Sequence, residues 1–82
     1  LKDYLVTSSY GQWDNIFIVS AKNAKDAIEQ VYQSYIISMN EDIKRKNKEV
    51  GYNSYRICLK RELHARSIRS LHNENGKIIQ VN

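Results

Sequence analysis

The chain has 82 residues, of which 41% are hydrophobic and 27% charged, with one cysteine and a net charge of +4. That length excludes two domains and predicts a single soluble unit burying roughly 60–65% of its unfolded surface. The lone cysteine excludes an internal disulfide, and with no charged-then-apolar leader and no apolar run approaching about 18 residues, the expected setting is a reducing cytoplasm, with no membrane contact. The charge is unevenly spread. Residues 1–42 hold three lysines against six acids, a net of −3, whereas residues 43–82 hold ten lysines and arginines against three acids, a net of +7. Such polarity bears on partners, either phosphate or an acidic protein surface, and not on fold.

In chain order, "KDYLVTSS" and "NIFIVSA" are β-branched and aromatic runs joined by "YGQWD", which predicts a hairpin of strands near 3–9 and 15–21. Asn23 then sits at an N-cap position with Asp26 three residues on. Ala24, Ala27, Ile28, Val31, Tyr32, Tyr35, Ile36, Met39 and Ile43 follow at amphipathic spacing. One long helix is expected to about Lys48, closed by cations that complement its C-terminal dipole and stopped by Gly51. Asn40, followed by two acids, could start a second helix, but Ile43 keeps the phase of Ile36 and Met39, so a single helix is the expectation.

"YRICLKR" alternates Tyr55, Ile57 and Leu59 against Arg56, Cys58 and Lys60, the pattern of a strand with one dry and one wet face. "NENG" before "KIIQV" predicts a turn into a final strand. The fold class is therefore α+β, an antiparallel ββαββ sheet with a long amphipathic helix on one face, and an optional fifth strand at 67–72. Both faces of the second strand are apolar, so a second covering layer is required. The C-terminal hairpin, an identical subunit or a foreign protein could provide it.

The stretch "RICLKRELHARSIRSLH" concentrates the candidate chemistry. Arg56, Lys60, Arg61, Arg66 and Arg69 form a candidate partner-binding face, and Tyr10 and Trp13 at the hairpin tip are candidate aromatic anchors, since Tyr, Trp and Arg dominate contact energetics. Clustered cations with Tyr52 and Tyr55 nearby also suit phosphate and single-stranded nucleic acid, although none of the familiar nucleic-acid motifs is present. Cys58, His64 and His72 with Glu62 or Glu74 offer zinc-type ligands without paired spacing, so no metal or other cofactor is expected. Cys58 as a nucleophile with His64 as base, and a metal-free ribonuclease using His64, His72, Glu62, Arg66 and Arg69, complete the alternatives.

The opening half, a short hairpin ending "FIVSAKNAKDAIEQVY", resembles the strand-then-helix start of small phage and mobile-element proteins of Gram-positive bacteria, among them the DpnD/PcfM-like group. The shared features are Ile16 to Val19, Ala21, Asn23, Ala27 and Ile28. No site residue follows from this likeness. What it implies is a small protein that binds and modulates or inhibits a host protein or nucleoprotein, of the anti-defence kind, as a monomer or homodimer. The expected function is such a non-catalytic binding protein. Direct nucleic-acid binding is the alternative and a small ribonuclease the third.

Overall fold

The computed structural model describes residues 1–8, 15–51, 55–68 and 77–81. Strand β1 (Lys2–Ser8) pairs antiparallel with β2 (Asn15–Ala21), Leu5 opposite Ile18 and Val6 opposite Phe17. β3 (Leu63–Ser67) adds antiparallel to the other edge of β1, with Val6 opposite Ala65. β4 (Lys77–Gln80) lies parallel to β2, a pairing continued by Val81 N–H donating to Ile18 O at 2.9 Å. The fold is thus α+β, three antiparallel strands and one parallel edge strand in the order β3-β1-β2-β4, with one long helix.

That helix begins as its sequence predicts. The Asn23 side chain accepts from Asp26 N–H at 2.8 Å, and the Asp26 carboxylate reaches back to Lys22 N–H at 3.1 Å, so two free amide donors are satisfied reciprocally. It ends at Gly51, whose φ of 80° is the left-handed conformation that favours glycine. Between these caps, α1 (Ala24–Val31) and α2 (Ile37–Val50) are joined without a break by a π-turn at Tyr32–Ile36, a single run of 27 residues. At 1.5 Å per residue the run is ~40 Å long. It accounts for the 43 Å long axis of the molecule.

The π-turn follows from the spacing of buried positions. Ala27, Val31, Ile36, Asn40 and Asn47 are all buried, at steps of four, five, four and seven residues. In a regular α-helix, at 100° per residue, the five-residue step would carry Ile36 about 140° off the stripe. One extra residue in a wide turn keeps Val31 and Ile36 on the same side.

The helix-facing layer of the sheet is Val6, Phe17, Val19, Ala21 and Leu63, all buried against Ala27, Val31 and Ile36. Phe17 meets Tyr35 edge to face, ring centroids 4.9 Å apart. Gln30 Nε2 donates to Ser20 O at 3.0 Å, fixing the helix start to the end of β2. On the opposite face Leu5 and Ile16 are only 2% and 4% exposed. The chain by itself closes the second layer at these two positions, so they require no second subunit.

Two expectations about the C-terminal half are corrected. Residues 55–61 are not a strand: Tyr55–Leu59 is an irregular extended segment followed by a 3-10 turn at Lys60–Glu62. The expected alternation fails at two positions, since Cys58 is fully buried while Tyr55 is 55% exposed, although Arg56 and Lys60 are exposed and Ile57 and Leu59 half-buried as expected. The third strand instead starts at Leu63, where Leu63 and Ala65 take the helix side and exposed His64 and Arg66 the other. β3 and β4 occupy opposite edges, so they form no hairpin, and among the described residues there is no fifth strand.

The physical reason lies in the helix. Asn40 Nδ2 donates to Cys58 O and Asn40 Oδ1 accepts from Cys58 N–H, both at 2.8 Å. Asn47 does the same to Tyr55, at 2.8 Å to its carbonyl and 3.0 Å from its amide. Seven helical residues rise ~10.5 Å and three extended residues span ~10 Å, so the two amides match the two backbone sites in spacing. Side-chain carboxamides replace the neighbouring strand that the segment would otherwise need.

Asn40→Ala leaves a buried N–H and C=O at Cys58 unpaired and is expected to cost about 2–4 kcal/mol, against about 1–2 kcal/mol for Asn47→Ala nearer the helix end, read from urea unfolding midpoints. Deleting exposed Ser34 converts the π-turn to regular helix while keeping both buried stripes aligned, and should cost under about 1.5 kcal/mol. Deleting Lys44, which turns Asn47 about 100° away from Tyr55, should cost more than about 2 kcal/mol by the same measurement.

Candidate partner-binding surface

The cations expected to form one face are divided by the structure into two sets. Arg56 Nη1 donates to Glu62 Oε2 at 2.7 Å, across the carboxyl end of the extended segment. Lys60 pairs with Glu29 on α1 and lies 5.5 Å from the centroid of the Tyr32 ring. Lys60 therefore ties the 3-10 turn to α1, and Arg56 ties the segment before the turn to the turn itself. Arg56 and Lys60 share no strand face, because there is no strand.

Arg61 and Arg66 are exposed, the first on the 3-10 turn and the second on β3 opposite Leu5. Exposed His64 lies on the same side of β3, opposite Thr7. Arg69, Tyr10 and Trp13 lie outside the described residues, as do His72, Glu74 and Tyr52. At the far end of the helix, Lys44 is 3.4 Å from Glu41 and Arg45 pairs with Asp42, while Lys46 and Lys48 are exposed. Exposed Val50 and Tyr55 accompany them.

Electrostatics follow the pairing. The Arg56 guanidinium holds the Glu62 carboxyl below the ordinary carboxylate range, overriding the opposing effect of burial. Lys60, with help from Gln33, does the same for Glu29. Burial pushes the Cys58 thiol up, against the lesser effect of a contact with Ser8 Oγ at 4.0 Å. A fully buried cysteine whose thiol is pushed up by that burial is poorly placed to attack a substrate, which counts against Cys58 as a nucleophile. Glu62 is buried and His64 exposed, and among the described residues no three His, Cys, Asp or Glu side chains could together hold a metal ion.

Asn40 and Asn47, the residues that place this surface, were not singled out by sequence. A signal exists: both fall on the buried stripe of the helix, where a polar residue needs a partner.

Among the described residues, no helix is long and apolar enough to cross a membrane. No protein-family profile, curated protein or solved structure matches the chain. Its reading rests on the arrangement of its own side chains.

Because the folded Glu62 carboxyl is depressed, its pairing stabilises the fold fully above the ordinary carboxylate value of 4.5 and is lost as pH falls through the depressed value. Glu62→Gln should lower stability at neutral pH and flatten the fall in urea midpoint between about pH 5 and pH 3. An unchanged acid limb in the variant would show that other carboxylates carry it.

Proposed function

We propose that this is a non-catalytic binding protein that docks through exposed arginines on an acidic surface of a host protein or nucleoprotein and modulates it. The observation that carries the reading is the exposure of Arg61 and Arg66 on two adjoining elements. Arg56 and Lys60 are held by Glu62 and Glu29, which fixes the 3-10 turn from which Arg61 projects. Arg66 and His64 present positive or titratable groups on the adjoining strand. A rigid scaffold carrying exposed arginines suits recognition of carboxylates or phosphates, because the planar guanidinium binds both in bidentate fashion. The likeness of residues 16–28 to mobile-element proteins supports the narrower form of the proposal, an inhibitor of a host defence machine.

Direct nucleic-acid binding is the second reading, favoured by the additional exposed cations Lys46 and Lys48 at the end of α2. The two sets lie on different elements, and the helix C-terminus carries partial negative charge that offsets the lysines beside it. A single phosphate track is therefore less well supported than a compact acidic patch.

A tagged pull-down from host lysate, divided into nuclease-treated and untreated halves, separates the readings. A stoichiometric protein retained after nuclease is expected, with recovery falling at least about tenfold in Arg61→Ala/Arg66→Ala and as salt rises. Nucleic acid recovered alone and lost on treatment would replace the first reading with the second. Retention unaffected by salt and by both substitutions would remove the electrostatic basis of either.

A further inference from the structure

We propose that Tyr55–Leu59 is a latch that lifts off α2 as a unit while the helix and sheet stay folded, uncovering Cys58. The segment lies outside the sheet. Among the described residues its backbone is held at Tyr55 and Cys58 by the carboxamides of Asn47 and Asn40, and at Leu59, whose carbonyl accepts Glu62 N–H at 2.9 Å within the following turn. Each Asn engages one residue through both its donor and its acceptor, so a single displacement breaks four hydrogen bonds in two pairs.

Opening orphans none of the amide groups that hold the segment. The two carboxamides and the two backbone sites pass directly to water, which satisfies donors and acceptors alike. The helix keeps its own backbone bonds through the π-turn and α2 whether or not the segment is in place. β1, β2 and β3 keep theirs, because none of their pairings runs through residues 55–59.

The two ends of the segment differ in a way that defines a hinge. On the amino side the chain leaves the helix at Gly51, at φ 80° with nothing within 4 Å of where a Cβ would stand. The carboxyl side is anchored: Lys60 is tied to Glu29, and Arg56 reaches across the latch to Glu62. Movement therefore pivots about the 3-10 turn, and the exposed Arg56 side chain, 40% accessible, is the charged contact that must release. What resists opening is the burial of Cys58, which belongs to the core cluster shared with Val6 and Leu63. Local opening of this kind, less costly than global unfolding, is expected where backbone bonds to the rest of the fold are few.

Cys58 is the only cysteine, so a reporter is already in place. The test is reaction of the native protein with Ellman's reagent across a urea series below the unfolding transition, together with amide hydrogen exchange read residue by residue. Labelling is expected at least tenfold faster than global unfolding allows, with little dependence on urea. The Tyr55 and Cys58 amides should exchange with similar protection, each at least tenfold below that of Val19. Asn40→Ala should accelerate labelling tenfold or more and lower protection of Val6 and Val19 by no more than its loss of global stability requires. If that variant does not fold, Asn47→Ala and the wild-type urea series give the same reading. Labelling that tracks global unfolding with its full urea slope, or Cys58 protection equal to that of Val19, overturns the proposal.

Discussion

Asn40 and Asn47 use both ends of their carboxamides on the backbone of Cys58 and Tyr55, and much of the molecule depends on that arrangement. An extended segment without a strand beside it would bury unpaired donors and acceptors, at a cost comparable to a lost hydrogen bond for each group. By supplying those partners from side chains two helical turns apart, the helix brings the segment back along itself after Gly51. The chain is thereby delivered to the 3-10 turn, and from there to the free edge of β1, where β3 forms. Arg61, His64 and Arg66 owe their positions to this path.

The same path explains why a chain with a strongly basic second half does not form one uniform basic face. Folding back places the basic segment beside the helix, where Lys60 finds Glu29 and lies near Tyr32. Arg56 finds Glu62 within its own half. The exposed Lys60–Glu29 pair adds little stability, whereas Arg56 compensates the buried Glu62 carboxylate, and both contacts fix geometry. The arginines that remain outward are those whose local structure points them away from the helix.

The π-turn and the clamps are linked. Were Tyr32–Ile36 wound as regular α-helix with no residue removed, the second half of the helix would be turned relative to the first, and Asn40 and Asn47 would leave the side on which the segment lies. A single wide turn thus lets one helix serve two layers in succession: α1 packs on the strands, and α2 holds the segment beyond them. Burial of Leu5 and Ile16 on the far face shows that the isolated chain also satisfies the second apolar layer at these positions.

Local chemistry determined the two hairpin strands, the Asn23 cap, the long helix and its stop at Gly51, because alternation, capping and left-handed glycine act over a few residues. It also determined the charge asymmetry. Tertiary structure decided the rest. The alternation of residues 55–61 matches a strand, yet a strand exists only where another offers its edge. Here the helix amides took that place, which buried Cys58 and exposed Tyr55. The "LHARS" segment, too short and mixed to show a period by itself, became β3 because the open edge of β1 lay where the chain arrived. Ion pairs such as Lys60 with Glu29 join residues 31 positions apart, and periodicity along one stretch of chain carries no information about such a distance.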